Sequence, residues 1–189
     1  MPFKRFFDIV LSLLAIVLCL ALLWWWVTLL NLIATKGHPF FAPLRYGKDK
    51  VQFKMFKFRS MKVDAPYISP YEMSDEQRDD LETWFGKFLR ITSIDETPQF
   101  INVLIGNMSF IGPRPGGVGY EENLVEARES YVPNAFMVKP GLTGYSQVYM
   151  KRRHDVLSKA WYDSEYIKKL SFILDLKIFV HTALFIKGR

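Results

Sequence analysis

Between Ile9 and Leu30 runs a 22-residue stretch whose only polar side chains are Ser12 and Thr28. As a helix it is about 33 Å long, enough to cross a hydrocarbon core of roughly 30 Å. No other feature restricts the fold as strongly, because a helix apolar on every side must be covered by protein or by lipid. A cleaved signal peptide fits poorly, since its apolar core is only about 7–15 residues. Lys4 and Arg5 precede the run, and Lys36, Arg45, Lys48 and Lys50 follow it. With both flanks basic, the distribution of positive charge gives no orientation for a simple crossing. A helix that enters and leaves on one face resolves this but needs a break, and the run contains neither Pro nor Gly, the usual causes of a sharp kink. Spanning and re-entrant geometries both stay open. The cluster Trp24, Trp25, Trp26 suits an interface or lipid-facing anchorage equally.

The turn-like Lys36-Gly37-His38-Pro39 divides a membrane-inserted segment, 1–35, from a soluble, catalytic-sized part, 36–189. With 50% hydrophobic and 16% aromatic residues the chain is too apolar for disorder. Its net charge of +6 favours anionic partners: phosphorylated substrates, lipid head groups or nucleic acid. The cations are interleaved with acids and no nucleic-acid motif appears, so nucleic acid is set aside. Cys19 is the only cysteine and lies in the apolar run, which excludes an internal disulfide and thiol catalysis and suits a reducing compartment. His38, His154 and His181 lack zinc spacing, and no Gly-x-Ser-x-Gly elbow is present.

Val51 to Met55 alternates like a strand, and the pattern slips at Phe56. Lys57 and Arg59 then share the parity of Val51, Phe53 and Met55. Inward-facing cations need a counter-anion; alternatively the strand ends at Phe56 and both are solvated. Ser74 and Gln77 resemble a capping box, followed by one helix with Leu81, Trp84, Phe85, Phe88 and Leu89 on a single face. Near the C-terminus Lys168, Asp175 and Thr182 form a narrow polar stripe between Phe172, Ile173, Leu176, Phe179, Val180 and Ala183. Such a helix is core or sits at a membrane interface, and beside a membrane segment the interface is favoured.

Three stretches could carry chemistry. In the first, Asp95 as N-cap puts Pro98 in the first helical turn, Phe100, Ile101 and Leu104 on a buried stripe, and Gly106-Asn107 at the helix end. Asp95 and Glu96 then sit at the positive end of a helix, which favours ionised carboxylates and also attracts phosphate. A carboxylate beside a phosphate site can act as a covalent nucleophile, and an adjacent second one suits Mg²⁺. Ser93-x-x-Glu96 fits an ordinary capping box as well. In the second, Gly112-Pro113-Arg114-Pro115-Gly116-Gly117, prolines hold Arg114 extended, glycines admit a ligand to the main chain, and guanidinium suits phosphate. A Pro-rich turn with a solvated arginine is the plainer account. The third, Lys139 to Val148, is a Gly-rich turn leading into a strand without a Walker loop, followed by Lys151, Arg152, Arg153 and His154. These could grip phosphate or lipid head groups, or form a solvated face.

Together the stretches resemble the bacterial sugar transferases, monotopic phosphoglycosyl transferases that start glycan assembly on polyprenol phosphate. The matching residues are Lys4-Arg5-Phe6-Phe7-Asp8, Phe56 to Met61, Gly86 to Arg90, Ser93 to Gln99, Asn102-Val103-Leu104, Met108 to Pro115, Lys139 to Gly144 and Asp175-Leu176-Lys177. They cover nearly the whole chain in order, at a length resembling the family's minimal form. The resemblance implies an α/β fold: a re-entrant, membrane-inserted N-terminal helix and a small mixed helix–strand cytoplasmic domain with interfacial amphipathic helices, on the bacterial inner membrane. It implies a Mg²⁺-dependent reaction in which Asp95 attacks the β-phosphorus of a UDP-sugar, releases UMP and passes the phosphosugar to polyprenol phosphate. Glu96 would be the essential partner and metal ligand. Lys57, Arg59, Arg90 and Arg114, with Pro113 and Pro115, would hold the diphosphate and nucleotide, helped by Lys151, Arg152 or Arg153. The implied partners are UDP-sugar, polyprenol phosphate and membrane phospholipid; a homodimer is left open. The family's helix-breaking proline would fall near Leu20-Ala21, where there is none, so the helix is expected to bend less sharply or to span fully. Asn107 and Tyr149 to Arg153 also depart from the family pattern. The competing reading is a non-catalytic, membrane-bound basic protein that recruits a glycan-assembly partner or acidic lipid.

Overall fold

The apolar run is interrupted. In the computed structural model, which describes residues 2–66, 74–150 and 155–184, helices α1 (Pro2–Leu22) and α2 (Trp24–Ala34) meet at Leu23, whose φ of −131° and ψ of −51° lie outside helical space. Part of the run, Phe3–Leu22, is still long and apolar enough to cross a membrane. An uninterrupted helix is therefore not what this sequence forms, although no Pro or Gly marks the break. The break coincides with packing: Leu23, Trp24 and Ala34 lie against a buried cluster of Val27, Phe58, Phe85 and Leu89.

Both flanks of the run are bonded to the rest of the protein. Lys4 Nζ donates to the Ile111 carbonyl at 2.9 Å and pairs with Asp175 at 2.5 Å. Arg5 donates to the Val103 and Leu104 carbonyls at 2.6 and 2.8 Å. Asp8 accepts from the Ser109 hydroxyl and the Phe110 amide. On the other flank, Asn31 Nδ2 donates to the carbonyls of Pro39 and Arg59.

After α2 come four short strands, β1 (Phe40–Phe41), β2 (Leu44–Tyr46), β3 (Gln52–Lys54) and β4 (Lys57–Phe58), paired antiparallel as β1–β4 and β2–β3. The predicted strand parity does not persist. Val51 is 67% exposed, whereas Phe53, Met55 and Phe58 are buried. The slip has a visible cause in Asn102, whose side chain accepts from the Phe56 amide and donates to the Lys54 carbonyl, both at 2.8 Å. A side-chain amide thus takes the place of a ladder partner and resets which residues face inward.

Ser74 does form a capping box with Gln77, opening α3 (Asp75–Leu81). The single helix expected there is two: Thr83, its amide held by the Ser60 carbonyl, caps a second helix, α4 (Trp84–Ile91). Phe85 and Leu89 are buried, but Trp84 and Phe88 are exposed. α5 (Gln99–Ile105) buries Gln99, Asn102 and Val103 rather than Phe100, Ile101 and Leu104, because Asn102 has to reach the strands. It ends at left-handed Gly106. The parallel pair β5 (Ser109–Ile111) and, after α6 (Glu122–Glu129), β6 (Gly141–Thr143) follows. The stretch from Tyr145 is a short helix, α7 (Tyr145–Tyr149), not the expected strand.

α8 (Val156–Lys168) and α9 (Phe172–Leu184) complete the fold. Lys168 therefore belongs to a different helix from Asp175 and Thr182. In α9 the polar stripe faces inward. Asp175 is buried on Lys4 and Tyr166, and Thr182 meets Thr143 at 2.9 Å. Ile173, Leu176, Val180 and Leu184 are exposed, an arrangement inside-out relative to a helix on an aqueous surface.

The best-buried ion pair joins α6 to α8: Arg128 donates to Asp163 at 2.9 and 2.5 Å, both side chains at 2% exposure or less. Removing one partner strands the other charge, at a cost of about 3–5 kcal/mol. Asp163→Ala is expected to lower the unfolding free energy measured by chemical denaturation by that amount, while Asp79→Ala, at the exposed pair with Lys87, leaves it in place.

Candidate active site

The acidic pair lies on a single 3-10 turn, Ile94–Glu96, between α4 and α5. The turn is entered through Ser93 in the left-handed region, φ 57° and ψ 17°, and the Ser93 side chain makes no capping bond. Neither an Asp95 N-cap nor a Ser93–Glu96 capping box forms; Pro98, not Asp95, precedes the first residue of α5. Asp95 is 6% exposed, while Glu96 remains accessible and accepts from Arg114 Nη2 at 2.8 Å.

Around this turn the structure gathers several of the cations singled out from the sequence. β4 packs on the turn. Lys57 and Arg59 are half-buried, stacked over the Phe41 ring at 5.6 and 5.1 Å, so Lys57 faces neither the core nor open solvent. The buried Nε of Arg59 has no hydrogen-bond partner among the described residues. Arg90 is paired with Glu82 at 2.8 Å and acts on Asp95 only through its field. Lys151, Arg152 and Arg153 lie outside the described residues.

Charge and burial oppose each other here. Burial raises the Asp95 carboxyl to about 6, the Glu96 charge adds to the rise, and Lys57, Arg90 and Arg114 offset it. Burial likewise lowers Lys57 to about 8 against the pull of Asp95. Two adjacent carboxylates within a ring of cations form a site whose charges are balanced only in part.

The Arg114 loop is held by residues that the sequence pattern did not distinguish. Arg128 Nη2 donates to the Arg114 carbonyl at 2.8 Å, and Arg45 Nη1 to the Pro115 carbonyl at 3.3 Å. Arg45 is itself buried against Glu121 at 2.9 Å. Pro113 and Pro115 are buried and brace the loop, the Pro113 carbonyl accepting from the Gly141 amide. Gly112 does not leave room for a ligand as expected, since a Cβ there would collide with the Lys139 carbonyl of the neighbouring chain segment. Its role is close backbone packing. Arg45, Arg128 and Asp163 look in sequence like surface charges, and no local signal marks them as buried.

No group of three or more His, Cys, Asp or Glu side chains that could cage a metal ion occurs among the described residues. Mg²⁺ does not need one, as it takes one or two carboxylates and completes its shell with water and substrate phosphate. Asp95 and Glu96 supply that number of carboxylates, and the Glu96 charge adds to the rise of the Asp95 carboxyl.

A carboxyl whose folded pKa lies above its unfolded value of 3.8 costs stability when ionised. The cost is present above pH 6 and fades as pH falls towards 4. Asp95→Asn is accordingly expected to be more stable than the wild type at pH 8 in EDTA, by on the order of 3 kcal/mol, with the difference closing by pH 4. Equal stability at pH 8 would remove the buried-charge account.

Comparison with known proteins now gives the site a context. The profile of the bacterial sugar transferase family matches residues 1–188. The UDP-glucose:undecaprenyl-phosphate glucose-1-phosphate transferase of Escherichia coli (strain K12) is 40% identical over 180 residues, covering 93% of this chain and 38% of that protein. The undecaprenyl-phosphate galactose phosphotransferase of Salmonella typhimurium is 32% identical over 196 residues, with 39% of it covered. The exopolysaccharide production protein PSS of Rhizobium leguminosarum bv. phaseoli is 34% identical over 191 residues, covering 95% of this chain and 92% of that protein. The chain thus spans under two fifths of the first two relatives.

Proposed function

The chain belongs to the bacterial sugar transferase family, and from that premise we propose that it transfers a phosphosugar from a UDP-sugar to polyprenol phosphate, releasing UMP. The observation that carries this reading is the buried Asp95 beside an accessible Glu96 held by Arg114. The names of the similar enzymes, which act on undecaprenyl phosphate with glucose or galactose donors, point the same way.

In the proposed reaction Asp95 attacks the β-phosphorus of the UDP-sugar, the bond to the bridging oxygen breaks, and UMP leaves with that electron pair. The phosphosugar stays on the Asp95 carboxyl as an acyl phosphate. The phosphate oxygen of polyprenol phosphate then attacks the same phosphorus, freeing Asp95 and forming polyprenyl-diphospho-sugar. Burial suits Asp95 to this, because a poorly solvated carboxylate is the more nucleophilic one. Arg114, Lys57 and Arg59 would face the diphosphate oxygens, a role that fits the half-buried cations and the unpartnered Arg59 Nε. Glu96, with Asp95 beside it, would hold Mg²⁺, whose charge offsets that of the diphosphate when bound.

We further propose that the apolar segment enters the membrane and returns on the cytoplasmic face. Support comes from its two flanks: Lys4, Arg5 and Asp8 on one side and Asn31 on the other are all bonded to the same soluble unit. A full crossing would have to give up one set of bonds. Outward-facing Ile173, Leu176 and Leu184 on α9, with Trp84 and Phe88 on α4, suit a domain resting on the membrane interface.

With Mg²⁺, undecaprenyl phosphate and a panel of UDP-sugars, the protein in nanodiscs is expected to release UMP from at least one donor. Asp95→Asn should lose at least about 10³-fold in rate while staying folded and membrane-bound. Retained turnover in that variant rules out the covalent route. For topology, Phe3→Cys in a Cys19→Ser background is expected to resist an impermeant maleimide applied to intact cells and to react once the membrane is permeabilised; labelling in intact cells overturns re-entry.

A further inference from the structure

The break in the apolar segment and the acidic turn are joined by a hydrogen bond. Trp24, the first residue of α2, points its indole Nε1–H at Thr97 Oγ1, 2.9 Å away. Thr97 directly follows Glu96. Its hydroxyl in turn donates to the Ile94 carbonyl at 2.9 Å, the carbonyl that also accepts the Thr97 amide at 3.1 Å. The chemistry of the relay is consistent at each atom, since an indole N–H can only donate and the Thr97 hydroxyl, its one hydrogen committed to Ile94, is left to accept. Trp24 also meets Phe58 edge-on, with ring centroids 6.4 Å apart, immediately beside Lys57 and Arg59. Ile94 packs on the same buried cluster as Leu23 and Trp24. Trp25 and Trp26, by contrast, stack on each other and are 53% and 52% exposed. Of the three consecutive tryptophans, Trp24 alone is turned towards the site.

We infer that Trp24 is a positioning residue for the Asp95–Glu96 turn: through Thr97 it sets the conformation that presents both carboxylates. The inference rests on the reading of Asp95 as nucleophile and Glu96 as metal ligand. The turn needs such a support. It is a single 3-10 turn entered through a left-handed, non-glycine Ser93, a conformation that persists only where its surroundings impose it. Neither Ser93 nor Pro98 supplies a side-chain cap. The relay from Trp24 supplies the missing constraint, and it originates in the segment that breaks out of α1.

Two substitutions remove the bond: Thr97→Val, which keeps the side-chain shape, and Trp24→Phe, which also gives up part of the indole ring packed near Phe58. Each is expected to lower kcat for UMP release by about 3- to 10-fold with KM for the UDP-sugar unchanged, and Thr97→Val to do so at an unchanged unfolding midpoint. The double variant should be no slower than Thr97→Val, because that substitution already removes the bond from Trp24 together with the one to the Ile94 carbonyl. Thr97→Ser, which keeps the hydroxyl, should stay within about 2-fold of wild type. Amide exchange in the peptide 93–99 should quicken in Trp24→Phe and Thr97→Val but not in Trp25→Phe, with α8 unaffected as the control for global folding. If Trp24→Phe does not fold, Thr97→Val against Thr97→Ser carries the same readouts. Unaltered exchange at 93–99, or unaltered kcat in an active enzyme, overturns the inference. A wild type that releases no UMP from any donor, yet whose exchange responds as described, removes the catalytic reading and leaves the seating of the turn by Trp24 standing.

Discussion

Two buried guanidinium groups fix the carbonyls of consecutive residues, Arg128 that of Arg114 and Arg45 that of Pro115, and the site geometry depends on them. Arg114 can meet Glu96 only if its backbone is held, and the prolines on either side limit rotation without choosing a direction. The direction comes from Arg128, which is itself committed to Asp163, and from Arg45, committed to Glu121. Each guanidinium thus neutralises one acid and orients one carbonyl. Placing charged groups this deep brings little net stability, and what it secures is orientation of the loop facing the acidic turn.

A second organising constraint is the inversion of polarity on the helices that carry exposed apolar side chains. In α9 Asp175 and Thr182 turn inward beside the buried Ile178, Asp175 holding Lys4 and Tyr166, while Ile173, Leu176, Val180 and Leu184 look outward. α1 follows the same plan at its start, spending Lys4, Arg5 and Asp8 on the domain. The N-terminal segment and the last helix are therefore pinned to each other, and β5 touches both. In an aqueous protein such charges would face solvent and the aliphatic residues the core.

What could be read from the sequence had local causes. The Ser74–Gln77 cap and the helix end at Gly106 each depend on neighbours within a few residues. What escaped reading had distant causes. The strand parity at Phe56 is reset by Asn102, and Asn102 in turn shifts the buried face of α5 away from Phe100, Ile101 and Leu104. Arg128 and Asp163 are 35 residues apart and indistinguishable from surface charges until both are buried. The α9 stripe was visible as a periodicity, but periodicity does not say which side meets protein. The pairing of Thr97 with Trp24 likewise had no local signature.

The interruption at Leu23 has a consequence for how the chain acquires its shape. A proline would write the break into the covalent chain, where it holds from the moment of synthesis. Here it is held by Phe58, Phe85 and Leu89 and by the hydroxyl of Thr97, all of which leave the ribosome after the segment they divert. Until they arrive, nothing in residues 9–34 opposes a single continuous helix, and the discontinuity is a property of the finished fold rather than of the segment that displays it.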